Sequence, residues 1–172
     1  MPSSNLIDYG DVPMEVLAPL IRETQALSKA RWVHRGDPES YETTAIRKDL
    51  PSQTQEVLGW IADHLLKPGF FNRVVLSCVP AGKKILPHTD NFGEPVKSQS
   101  IHCHLPLVTD PTIVLGFERG HHLEVGHVYR MDESQRHWVD NPSACDRIHL
   151  LFAFWPHDGN ILDLLTKGVA YA

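Results

Sequence analysis

The chain is poor in cysteine, in long apolar runs and in surplus positive charge. Cys78, Cys103 and Cys145 are the only three cysteines; they are odd in number, widely separated, and form no C-x-x-C pair. That excludes a disulfide framework and points to a reducing compartment, so a cytoplasmic location is expected. The apolar runs are short, Leu150 to Trp155 being typical, far below the ~20 residues of a membrane-spanning helix. Met1 to Met14 has neither a basic segment nor an apolar stretch, so no secretory signal is expected there. Sixteen Lys and Arg against 21 Asp and Glu give a net charge of −5, which offers no basic footprint for a nucleic acid. There is no internal repeat and no biased segment. What remains is an ordinary globular composition, 42% hydrophobic and 22% charged, in a chain long enough to bury a core.

Histidine is what the chain has in excess. Nine of the eleven lie between His88 and His157. Such crowding raises the prospect of a metal or acid–base site.

A single domain over residues 1–172 is expected, in three parts. Residues 1–69 supply supporting helices and short strands. Pro13 suits the start of a helix running to about Leu27, with Pro19 limiting or restarting it. Arg31 to His34 reads as a short strand and Gly36-Asp37-Pro38 as a turn. Ser52 and Gln55 fit a capping box before Val57, Leu58, Ile61 and Leu65 at helical spacing, with Lys67-Pro68-Gly69 as the stop. Residues 70–157 alternate strand-like runs with turn signals. The runs are Arg73–Val79, Ile101–Val108, Thr112–Phe117, His127–Arg130 and Arg147–Trp155. Short strands at this spacing predict a mainly β sandwich or barrel with the preceding helix on the outside of one sheet. Residues 158–172 are expected to hold a short helix over Asn160–Lys167, capped by Asp158 and ended by Gly168.

The informative segment is Pro87-His88-Thr89-Asp90. In an extended chain residues two apart share a face, so His88 and Asp90 can offer an imidazole and a carboxylate to one ion. His137 can return to the same place after several barrel crossings. Two histidines and a carboxylate that leave other positions open suit non-haem Fe(II) oxygenases. Taken alone, His-x-Asp more often means a hydrogen-bonded pair or a turn than a metal site. Arg147, ten residues after His137, opens a strand whose one face carries Arg147, His149, Leu151 and Ala153, and whose other carries Ile148, Leu150, Phe152 and Phe154. A buried guanidinium needs a partner, and a dicarboxylate co-substrate fits its fork. A salt bridge to Asp146 or Asp140 is the alternative. His149 either lines a pocket or is a satisfied core histidine. His121 and His122 suit a solvated loop better than a second metal site, and His127 a packing or hydrogen-bonding role. Trp138 and Trp155 read as core, Cys103 and Cys145 as small buried residues, and Lys83-Lys84 as a solvated turn.

His-x-Asp, a later His and an Arg ten residues on resemble the iron- and 2-oxoglutarate-dependent oxygenases, and more closely the aspartyl/asparaginyl β-hydroxylase family. The matching text is Ser77 to Asp90, Ile101 to Val108, Glu124 to Tyr129, His137, and Arg147 to Phe152, roughly half the chain from Asn72 to Pro156. The resemblance implies a double-stranded β-helix (jelly-roll, cupin-like) core. It implies Fe(II) on His88, Asp90 and His137, and 2-oxoglutarate held by Ser77 and Arg147 at its distal carboxylate and by His104 near its chelating end. His102 falls where the family often has an arginine. The best-known animal members lack a carboxylate at the place of Asp90; its presence matches the wider superfamily, implies a complete triad and argues against halogenation.

The implied activity is that of a dioxygenase using Fe(II), 2-oxoglutarate and O2. It would hydroxylate a C–H bond of an amino-acid unit and release succinate and CO2. The substrate is a free amino acid such as proline, or an Asp/Asn-type residue of a peptide. Two other readings stand beside it: a zinc-type hydrolase or isomerase using the same three ligands, and a non-catalytic cupin-like binding module. The polar loop Asn91–Ser100 is expected to act as a lid.

Overall fold

The structure, a computed structural model, describes residues 5–27, 29–35, 43–90, 100–165 and 167–171. The Gly36-Asp37-Pro38 turn and nearly all of the expected lid lie outside the described residues. Among the described residues two helices, α1 (Met14–Gln25) and α2 (Thr54–His64), and a short 3-10 turn at Lys29–Arg31 accompany twelve strands. The larger sheet has the order β12 (Val169–Tyr171), β1 (Leu6–Asp11), β9 (His127–Met131), β6 (Ile101–Val108), β11 (Arg147–Pro156), β4 (Gly69–Val79), β3 (Thr43–Ile46), β2 (Val33–Arg35). The smaller has the order β5 (Lys84–His88), β10 (His137–Asp140), β7 (Val114–Gly116), β8 (Gly120–His121). All pairings are antiparallel. The two sheets face each other as the double-stranded β-helix expected from the resemblance.

The alternation along β11 explains the layering. Ile148, Leu150, Phe152 and Phe154 join Leu76, Cys78, Ile101, Cys103 and Leu105 on the outer face. There Leu17 and Leu20 of α1 and Val57, Leu58 and Ile61 of α2 cover them. The inner face meets the smaller sheet through Leu6, Val79, Tyr129 and Met131 against Leu115, Phe117 and Val139. The polar inner positions of β4, β6 and β11 therefore lie inside the barrel.

Several local expectations are corrected. Pro19 does not interrupt α1. The carbonyl its missing N–H would have bonded is that of Glu15, which sits on the exposed side. The capping box is absent: α2 starts from Gln53 without a side-chain cap, and the Ser52 hydroxyl instead donates to Glu23 Oε1 of α1 at 2.7 Å. The strand expected over Arg31–His34 begins two residues later, after the 3-10 turn. Only Val114–Gly116 of Thr112–Phe117 is strand. No helix forms near the C-terminus among the described residues. Asp158 and Asn160 make Asx turns, accepting the N–H groups of Asn160 and Leu162, and the chain then pairs as β12 with β1. Gly168 permits that approach with φ +99°, where a Cβ would lie 2.3 Å from the Asp8 carbonyl oxygen.

Candidate metal centre

β5 and β10 are neighbours, and His88 pairs directly with His137 across them. Their rings lie 4.3 Å apart between centroids. Asp90 lies two residues beyond the end of β5, so the strand does not place it. Its N–H donates to the Glu133 carbonyl at 2.9 Å, and that bond turns its carboxylate back towards the histidines. Asp90 Oδ1 is 3.8 Å from His88 Nε2, and Oδ2 is 4.0 Å from His137 Nε2. One ligand atom from each of the three residues falls within 4.8 Å of the others.

The tautomers are fixed from behind. His88 Nδ1 is 2.8 Å from the Leu86 carbonyl, and His137 Nδ1 is 2.8 Å from the Gln135 carbonyl. A carbonyl only accepts, so each Nδ1 carries the proton and each Nε2 presents a lone pair towards Asp90. Burial, with the neighbouring His137, holds His88 below the usual imidazole range, which keeps it neutral and able to ligate. Trp138, next to His137, is half-buried and lies across Gly116, its pairing partner on β7, where a Cβ would meet the indole at 1.9 Å. A divalent ion that accepts two imidazoles and one carboxylate fits this donor set.

Behind the cluster the inner face of the larger sheet carries the other expected residues in register. Arg147 pairs with Val79, and His149 with Ser77 and Pro106. Leu151 pairs with Val75 and His104, and Ala153 with His102. Ser77, His104 and Arg147 are all buried, Arg147 to 3% exposure. Arg147 Nη2 has no hydrogen-bond partner. Asp146, offered by the sequence as its mate, accepts the Ala81 N–H instead. Burial pushes the Arg147 guanidinium down to about 10.

Glu133 was not foreseen. Its carboxylate lies 2.7 Å from His102 Nδ1 and 3.3 Å from His104 Nε2. Burial alone would raise its pKa, but the hydrogen bonds from the two histidines outweigh that and hold it below the usual carboxylate range. It thus orients both imidazoles and, through its carbonyl, Asp90. A His-x-His on one buried strand face implies an anionic partner, and that was the available signal.

His149 is 1% exposed, and neither ring nitrogen has a partner. It is therefore not a satisfied core histidine. Its ring meets His104 edge-on at 5.9 Å. Burial first, then the charges of Arg147 and His104, hold its pKa well below 6.5. The unfolded chain therefore takes up a proton near pH 6.5 that the fold refuses. Stability from this group is full above that pH and falls on acidification below it, by up to about 1.4 kcal/mol per pH unit. Urea midpoints between pH 7.5 and 5.5 are expected to fall more steeply for the natural protein than for His149→Leu. Equal slopes would assign the loss to other groups.

The remaining histidines lie elsewhere. His121 is on β8, His122 Nδ1 is 3.2 Å from the Ile113 carbonyl, and His127 Nδ1 is 2.9 Å from Asp8 Oδ2. Cys103 is buried as expected, whereas Cys145 is only half-buried, its sulfur 3.4 Å from Ser143 Oγ. Trp155 is also half-buried, stacked on Phe70 at 5.6 Å.

A double-stranded β-helix with two imidazoles and a carboxylate converging between its sheets defines the scaffold class of the non-haem metal oxygenases. The chain belongs to the aspartyl/asparaginyl β-hydroxylase family, whose model matches residues 39–157. It is accordingly an enzyme of the hydroxylase class. No curated protein matches the chain in sequence. Solved structures share the fold at low identity. A prolyl hydroxylase from Trichoplax adhaerens, in complex with a hypoxia inducible factor oxygen degradation domain peptide fragment, is 10% identical. That match covers 93% of this chain and 87% of that one, with a TM-score of 0.65. A Pseudomonas putida prolyl-4-hydroxylase is 12% identical over 90% of this chain and 94% of its own, with a TM-score of 0.61. HygX from Streptomyces hygroscopicus, with nickel and 2-oxoglutarate bound, is 14% identical over 90% and 84%, with a TM-score of 0.62. At such identities the likeness concerns the fold. Among the described residues no helix is long and apolar enough to cross a membrane.

Proposed function

We propose that the protein is an Fe(II)- and 2-oxoglutarate-dependent dioxygenase that hydroxylates a C–H bond of an amino-acid unit. The unit is a free amino acid such as proline or an Asp/Asn-type residue of a peptide. The observation that carries the reading is a two-histidine, one-carboxylate cluster sharing its interior with a buried guanidinium that has an unpartnered nitrogen. A hydrolase has no reason to keep such a guanidinium beside its metal.

In this reading His88, Asp90 and His137 hold the iron. Arg147 and Ser77 take the distal carboxylate of 2-oxoglutarate, supported by burial and by the inner-face register. His104 and His102, both fixed by Glu133, border the chelating end. When bound, iron and 2-oxoglutarate supply the oxidising power for C–H hydroxylation, with succinate and CO2 released. The chain's own groups bind, orient and exclude water. Leu151, Val75 and Val79 are apolar positions of β4 and β11 between the polar ones. No side chain is required as a general base. Cys78, Cys103 and Cys145 are free thiols, which supports a reducing, cytoplasmic setting.

The test is a spectrum. Metal-free protein given Fe(II) and 2-oxoglutarate without oxygen is expected to develop a weak visible metal-to-ligand charge-transfer band. Metal binding with no band would favour the hydrolase or isomerase reading, and no metal binding a non-catalytic module.

A further inference from the structure

Among the described residues, seven buried side-chain nitrogen and oxygen atoms lack a hydrogen-bond partner. Four of them belong to just three residues: Arg147 Nη2, His104 Nδ1, and both ring nitrogens of His149. Buried polar groups are nearly always paired, so such a concentration calls for an explanation. The three residues are neighbours on the inner face of the larger sheet. His149 follows Arg147 by two positions on β11 and shares its face. Its ring meets that of His104 edge-on at 5.9 Å. Ser77, its direct pairing partner on β4, completes the group. All four are buried.

Their order along the row matters. Leu151 pairs with His104 and Ala153 with His102. Glu133 bonds both histidines through its carboxylate and the Asp90 N–H through its carbonyl. The candidate metal centre is thus tied to the Leu151–Ala153 part of β11, and Arg147 lies at the other end. A cavity of about 690 Å3 opens on Asp90, Glu133, Leu151 and Ala153. Arg47 and Arg73 also line it, but they are exposed and keep contact with solvent. Arg147 has no such relief, and no carboxylate among the described residues pairs with it. In the row, His149 stands between Arg147 and the residue opposite His104. A molecule that reaches from Arg147 to His104 therefore passes His149.

The chemistry of His149 fits that position. Burial and the Arg147 charge keep its imidazole neutral. A neutral imidazole has one N–H to donate. A carboxylate offers about four acceptor sites, and a guanidinium fork takes two of them. A neutral donor beside the guanidinium can fill a third without burying a second positive charge. We propose that His149 donates a ring N–H to the distal carboxylate of 2-oxoglutarate beside Arg147. It thereby helps select a dicarboxylate co-substrate. The inference rests on the oxygenase reading and on the place of Arg147 in it.

The experiment uses full-length protein loaded with Fe(II) under argon at pH 7.5. It is titrated with 2-oxoglutarate and, separately, with 2-oxopentanoate, each to half-saturation of the charge-transfer band. 2-Oxopentanoate keeps the chelating end and the chain length and has a methyl group in place of the distal carboxylate. His149→Leu and His149→Met are expected to weaken 2-oxoglutarate about tenfold or more and to leave 2-oxopentanoate within about threefold. His149→Asn and His149→Gln keep an amide N–H near the places of Nδ1 and Nε2. At least one of them is expected to bind 2-oxoglutarate within about threefold of the natural protein. The metal-free apolar variants should melt no lower than the natural protein at this pH, because they remove two unpaired polar atoms. Equal weakening of both 2-oxo acids would make His149 a structural residue and overturn the proposal. Unchanged 2-oxoglutarate affinity in the apolar variants would overturn it too, as would a loss that neither amide recovers. Absence of the band in the natural protein would instead overturn the oxygenase reading itself.

Discussion

Arg147→Met is expected to raise the 2-oxoglutarate concentration needed for half-saturation by roughly 30- to several-thousand-fold. Removing one partner of a buried charge pair typically costs about 2–5 kcal/mol. The same variant should not weaken the protein without ligand. Arg147 is buried, one of its terminal nitrogens has no partner, and burial already pulls its pKa down to about 10. Replacing such a group by an apolar one of similar length is commonly neutral or stabilising, by up to about 4 kcal/mol. The two effects have opposite signs, which separates a binding role from a structural one. Melting is compared with and without Fe(II) plus 2-oxoglutarate under argon. The natural protein should gain stability from the ligand, about 2.7 kcal/mol at a hundred times Kd. The variant should start as stable or more stable and gain little. A variant that is destabilised without ligand yet gains normally from it would make Arg147 a structural residue.

What could be read from the sequence tracks how locally each feature is determined. The faces of β11 were legible because ten consecutive residues alternate between two different environments, helices on one side and the polar interior on the other. The helical spacing of Val57, Leu58 and Ile61 was legible for the same reason. Its cap was not, because Ser52 is engaged by Glu23 from a distant helix. β1 escaped notice since Leu6, Ile7, Asp8 and Tyr9 are all buried, so a strand covered on both faces lost its alternation. β10 escaped because four residues with Val139 facing the core carry too little pattern. The pairing of His88 with Asp90 was anticipated on the ground that residues two apart in a strand share a face. The structure brings them together by another route, a hydrogen bond from the Asp90 N–H to a remote carbonyl. Glu133 and Arg73 were invisible because one sits in a polar loop and the other in a bulge, and neither position obeys a period.

Asp90→Ala is expected to abolish Fe(II) binding and turnover while changing the stability of the metal-free protein by less than about 1 kcal/mol. Asp90 is partly exposed and holds no strand together, so little packing goes with it. His88 and His137 should stay where they are, since the Leu86 and Gln135 carbonyls and their direct cross-strand pairing position them without Asp90. The variant therefore retains both imidazoles in the ligating tautomer and lacks only the anionic donor. Its metal content after loading, the charge-transfer band and succinate release should fall together. Asp90→Glu restores the charge one methylene out of place and should recover part of the metal binding, with little turnover. The opposite result would be equally specific. Iron bound by Asp90→Ala as tightly as by the natural protein would mean that two histidines suffice here and that the carboxylate has another task. Asp90 also lines the cavity that contains Arg47 and Arg73. Its role would then be to face the substrate, and calorimetric binding of L-proline and L-aspartate to Asp90→Ala would report it.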